Sequence, residues 1–212
     1  MVATVTDRAD VAGVTVAGTG RAGGPPDVVR IDLAAEAGAV AVQSALADAT
    51  AGLASMREAL TSAGVPATDL RTTDTSVHVD HGAGGRPQGY VARLGLSATV
   101  RDVDAAGTVV QEALARGGET ARLSGLTFSH SDPSSLLAAA RDAAFADARA
   151  KAETYARLSG RSLGEVSAVE ETGGGAVPLP RGIAMQASAA DFAVEGGLQE
   201  VSVSVIVRWS WA

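Results

Sequence analysis

Three glycines, Gly18, Gly20 and Gly23, spell G-x-G-x-x-G directly behind an alternating run at residues 14–17. The chemistry this spacing can do is dinucleotide binding. Its glycines allow a tight turn, and a helix N-terminus then holds the pyrophosphate. The continuation here is Gly24-Pro25-Pro26, followed by a period-two run from Val29. Two prolines extend the chain instead of coiling it. Without a helix there is no dipole and no ring of free N–H groups to cradle an anion, so no nucleotide cofactor is expected. What remains for Gly18 and Gly20 is a structural role: a strand-to-strand connection that needs positive φ or close backbone approach.

The second constellation is His78, Asp80 and His81. Imidazole and carboxylate at this spacing could ligate a metal. On a strand, however, His78 and Asp80 share a face and His81 does not. A site would therefore need help from elsewhere, such as His130, the third and last histidine. Solvated polar residues beside a hairpin tip are the simpler reading. Nucleophilic catalysis lacks its parts, with no G-x-S-x-G elbow and no cysteine. Glu170-Glu171 and Asp102/Asp104 read as a loop boundary and a helix start. Asp147 and Lys151 read as an i,i+4 pair on a solvated helix face. The expectation is a protein that is not an enzyme, with no catalytic, cofactor-binding or metal residues. A metal-dependent enzyme using His78, Asp80 and His81 is the lesser alternative.

Composition narrows the partners. The formal charge is −7, which disfavours phosphate backbones, so no nucleic-acid partner is expected. With 46% hydrophobic but only 3% aromatic residues, the core must be built from Ala, Val and Leu. No apolar run approaches the ~18 residues of a transmembrane helix, and residues 1–13 show no secretory pattern. The chain as given reads as cytoplasmic, or as periplasmic or extracellular if a leader was removed.

These residues must be positioned by elements of two periods. Residues 1–10 read as a flexible tail, and 11–212 as a single domain with one core. Strands are expected at 14–17 and from Val29, then a helix at about 39–63 striped by Val42, Leu46, Ala49, Leu53, Met56 and Leu60. Gly64 and Pro66 end it. A hairpin follows across the Gly-rich tip after Asp80. Asp102 or Asp104 caps a second helix, closed by Gly117-Gly118, and a further strand covers 121–131. Asp132 at the N-cap and Pro133 at N1 open a third helix, stopped by Gly160. Its inner face is Ala140, Ala144, Ala148 and Ala152, with Leu137 and Tyr155 near the ends, a surface that lets a neighbour come close. After one more strand comes a long loop at 172–197. The last strand places Val201, Val203, Val205, Val207, Trp209 and Trp211 on one face.

The order is β-β-α-β-β-α-β-α-β-β, an α+β chain whose middle has the order of a split βαβ unit. A mainly antiparallel sheet with three helices packed on one face is expected. Candidate interface residues, for an oligomer or a partner, are Ile183, Met185 and Phe192 in the loop, with Trp209 and Trp211.

Several stretches together resemble the SIMPL domain family, which includes bacterial periplasmic immunogenic or oxidative-stress-defence proteins and a eukaryotic adaptor associated with a Pelle-like kinase. The stretches are VTVAGTGRAGGPPDVVRIDL, ALTSAGVPATDLRTTDTSV, GYVARLGLSATVRDVDAAGTVVQEAL, LSGLTFSHSDPSSL and, most specific, ARDAAFADARAKAETYARLSGRSLGEV. The resemblance implies a non-enzymatic α/β domain with no agreed catalytic residues. It implies a homo-oligomeric structural or binding module linked to stress tolerance or, as the alternative, an adaptor for a protein partner.

Overall fold

A computed structural model describes residues 13–81, 85–173 and 196–212. The elements follow in the expected order: β1 (Gly13–Gly24), β2 (Val28–Ala39), α1 (Val42–Ser62), β3 (Leu70–His81), β4 (Pro87–Val100), α2 (Ala106–Gly117), β5 (Ala121–Ser129), α3 (Ser134–Leu158), β6 (Leu163–Glu171) and β7 (Gln199–Trp211). The α+β class is as the periodicities predict. The strands differ from expectation in forming two sheets, β3-β4-β2-β5 and β1-β7-β6. The described residues accordingly divide into two compact units with separate cores, where no second core is visible in the sequence.

The four-stranded unit spans residues 25–131 with 196–199. Its strand order is that of a split βαβ: β4 lies between β2 and β3 and runs antiparallel to both, and β5 pairs antiparallel with β2. Alternation along β2 buries Val29, Ile31, Leu33 and Ala35 on one face, and β4 adds Ala92, Leu96 and Ala98. Met56 and Leu60 of α1 and Val110 of α2 fill the same cluster. Gly64, at φ 88°, ends α1 as a Schellman turn. In that turn the Val65 N–H donates to Leu60 O and the Gly64 N–H to Thr61 O, each at 3.0 Å, and Val65 is buried beside them.

The three-stranded unit spans residues 13–24, 132–173 and 200–212. Val201, Val203, Val205, Val207 and Trp209 of β7 are buried on one face, as their spacing predicts. Opposite them Ala140, Ala144, Ala148 and Ala152 of α3 have no exposed surface. The start of α3 falls one residue later than expected. Pro133 is the N-cap residue, and Asp132 Oδ1 accepts from the Ser134 N–H at 2.9 Å. Gly160, at φ 67°, ends it as Gly64 ends α1, with the Arg161 N–H on Ala156 O at 2.9 Å. No helix among the described residues is long and apolar enough to cross a membrane.

Candidate functional site

The glycine run is not a connection. Strand β1 does not stop at Ala17; it continues through Gly18, Gly20 and Gly23 to Gly24. None of these glycines has positive φ. Close approach is the role their surroundings fit. A Cβ on Gly18 would fall on the carbonyl oxygen of Ala144 and on Ala148, and one on Gly20 on the Ala140 carbonyl and the Ala144 nitrogen. Glycines on the strand and alanines on the helix together bring two backbones to a separation that no larger pair permits.

The polar side of the same contact is made by Asp147 and Lys151. Lys151 Nζ donates to Asp147 Oδ2 at 2.7 Å and to Ala17 O at 3.0 Å, while the Thr19 N–H donates to Asp147 Oδ2 at 2.8 Å. The solvated pair expected from the sequence is therefore a clamp on backbone groups of β1, which is an edge strand of its sheet. Ala17 C=O and Thr19 N–H point to one edge because residues i and i+2 do so in any strand. The Lys151 ammonium, then the Thr19 N–H, hold the Asp147 carboxyl below the usual carboxylate range.

The histidines do not converge. His78 and Asp80 are exposed on β3, and a register shift separates Asp80 from His81. His130 follows β5, the opposite edge of that sheet. Three strand spacings place those edges roughly 14 Å apart. The registers His78↔Val91↔Gly38 and Ser129↔Val28 separate the residues further, by about 33 Å along β2. Among the described residues, no three His, Asp, Glu or Cys groups stand close enough to hold a metal.

His130 belongs instead beside Asp27. Asp27 Oδ2 accepts from Ser131 Oγ at 2.7 Å, Oδ1 accepts from the Ser131 N–H at 2.6 Å, and the Asp27 N–H donates to Ser129 O at 3.2 Å. The Ser131 hydroxyl and N–H, aided by the charge of His130, hold the Asp27 carboxyl below its usual range. The arrangement clasps the two ends of the segment 25–131.

The face of β3-β4-β2-β5 turned away from α1 and α2 carries a charge-balanced network. Arg93 donates to Glu36 at 3.1 Å and to Ser124 at 2.7 Å and lies 3.8 Å from Asp74, and Arg122 lies 3.6 Å from Glu36. Elsewhere Arg101 binds Asp69, and Arg141 of α3 binds Glu171 of β6, each through two nitrogens.

Of the candidate interface residues, Ile183, Met185 and Phe192 lie outside the described residues. Trp209 is only 3% exposed and packs on Phe145, ring centroids 5.9 Å apart, which removes it from the candidate interface. Its position on the valine face of β7 is the reason. Trp211 is half-buried, with the Arg161 guanidinium 5.6 Å from its ring centroid.

Other large apolar side chains among the described residues are exposed, Val40 and Leu198 of the four-stranded unit among them. On α3, Tyr155 is 54% and Leu158 73% exposed; on β6, Val166 is 43% and Val169 56% exposed. Tyr155 is not on the inner face. The buried alanines recur every fourth residue, and on a 3.6-residue helix each such step advances about 40°. The buried stripe therefore winds away and ends on Ala156. That unbroken i,i+4 series was the signal available in the sequence. Val166 and Val169 pair with Trp209 and Val207, so they share the core face of the sheet, at its uncovered margin.

The strand edges are protected. β1 is clamped by α3, β6 pairs with register shifts at Leu163/Val166 and Val166/Ala168, and β3 with shifts at Thr72/Thr75 and Asp80/His81. Such irregularities oppose the addition of another strand.

The model of one protein family, SIMPL, described as a protein of unknown function (DUF541), matches residues 14–209. No curated protein matches the chain significantly.

Proposed function

The chain belongs to the SIMPL family, and on that premise we propose that it works as a non-enzymatic, homo-oligomeric structural or binding module. One observation carries the reading. Tyr155, Leu158, Val166 and Val169 are exposed on two neighbouring elements of one unit, while Asp147, Lys151, Arg141 and Glu171 of the same elements hold backbone and ion pairs. Tyr155 and Leu158, at i and i+3, form one surface on the helix. Grouped apolar side chains of this kind mark association surfaces. The resemblance to oxidative-stress-defence proteins extends the proposal to a role in stress tolerance.

Light scattering during size-exclusion chromatography tests it. A mass that is a multiple of the 21.1 kDa chain, growing with loading concentration, is the expected result. A single-chain mass at every concentration overturns the reading. Peroxide survival of cells lacking the protein tests the stress link, and unchanged survival removes it.

A further inference from the structure

We propose that the middle of β3 pairs with β3 of a second copy of the chain, antiparallel across a two-fold axis at His78. The pairing supplies a contact for the oligomeric reading above and rests on it. β3 ends its sheet, so one row of its backbone N–H and C=O groups meets no other described strand. Every residue from Arg71 to His81 is exposed. The two register shifts protect the ends of the strand and leave the stretch between them regular: Thr75 to Asp80 follow Leu94 to Gly89 of β4 without a break. That stretch, TSVHVD, holds neither proline nor lysine, two residues that blunt an edge.

The faces of the stretch are open as well. Val77 and Val79 share a face with buried Ala92, on the side that carries α1 and α2, yet are 40% and 37% exposed. On the opposite face the side chains of His78 and Asp80 make no hydrogen bond or ion pair with another described residue. Arg93, Asp74 and Glu36 on that face hold one another.

A strand pairs with itself only where its residues match in reverse order. With His78 on the axis, Val77 meets Val79 of the other copy, twice over, on the helix-bearing face. On the opposite face Ser76 meets Asp80, and each His78 lies diagonal to the other copy's Asp80. β-Branched pairs stabilise one side, and a carboxylate flanks each imidazole on the other. Neighbouring registers lose this match. A slip of one residue sets valine against histidine. A slip of two in one direction sets Asp74 opposite Asp80, and in the other direction carries the pairing into the shift at Asp80/His81. The same five residues thus complete the edge and both faces, so the occupant is a second copy and not an unrelated strand. The contact is isologous and closes at two chains.

The chain has no cysteine, which allows a register-specific test on the full chain. Directly opposed residues of an antiparallel pair have Cα atoms roughly 4.5–5.5 Å apart, within disulfide reach. His78→Cys is therefore expected to give a disulfide-linked dimer under mild oxidation, seen by non-reducing gel electrophoresis and reversed by reductant. Thr75→Cys, which lies opposite His81 across the axis, is expected to remain single-chain. Val79→Lys places an ammonium among the four valines and is expected to weaken association roughly tenfold in light scattering, with circular dichroism confirming the fold. If the wild type assembles and Val79→Lys assembles as well as it does, β3 is not the contact while the oligomeric reading stands. If Val79→Lys weakens association but His78→Cys does not cross-link, or cross-links no faster than Thr75→Cys, the axis at His78 is overturned. If the wild type never assembles, both readings fail together.

Discussion

On the three-stranded sheet, α3 meets β1 through Gly18, Gly20 and a row of alanines; on the four-stranded sheet, α1 and α2 meet β2 and β4 through Ile31, Leu33, Leu96, Met56 and Leu60. One contact is made by removing side-chain volume, the other by filling it. In the first, dispersion comes from backbone against backbone at short range, and added atoms have nowhere to go. In the second it comes from interdigitated branched chains, and removed atoms leave a void. Two packing solutions in one chain of low aromatic content show that a small-residue core need not be a loose one.

The comparison breaks most readily at its extremes. Leu60→Ala leaves a cavity under a fully buried side chain and is expected to cost about 2–5 kcal/mol in urea unfolding. Gly20→Ala adds one methyl where the nearest atoms are helix backbone, and about 3 kcal/mol is expected because backbone cannot step aside. A loss at Gly20 well below ~1 kcal/mol would show that α3 can lift off β1, and the contrast would go with it.

Asp27→Asn is smaller and carries a pH signature. The folded carboxyl is held below 3.8 by Ser131, so folding favours its ionised form. That contribution is whole above the unfolded value and is lost as the pH falls through the lower folded one. The variant is expected to be less stable at neutral pH and to converge with the wild type under acid, in melts taken from pH 7 down to about 3. A gap that stays constant would mean the clasp does not work through charge. The smallest effect is a control. Gly38→Ala on β2 meets nothing nearer than 3.9 Å, and a gain of roughly 0.5 kcal/mol is expected from reduced unfolded-state freedom. A loss there comparable to that at Gly20 would make the glycine effect a strand propensity and not a packing one.

Particular residues show how far the sequence reached. The alanine series at Ala140, Ala144, Ala148 and Ala152 pointed to a closely approaching neighbour, and Gly64 and Gly160 marked helix ends that the structure closes with paired backbone bonds. The prolines after Gly24 ruled out a helix there. By contrast, Asp147 and Lys151 looked solvated because their partners, Ala17 and Thr19, lie well over a hundred residues away in the chain. Trp209 looked available to a partner because one face of a strand reads the same whether a helix or water covers it.

Local periodicity therefore determined the elements, their order and which face of each is apolar, since a helix repeats at 3.6 residues and a strand at two within a few residues of chain. Tertiary structure alone decided that β1 pairs with β7 and not with β2, that the strands divide between two sheets, and that Gly18 and Gly20 touch α3. Those outcomes depend on contacts between segments far apart in the chain, whose free energy is set by shape and charge at both surfaces at once. No single stretch carries that information. It exists only when both surfaces are present.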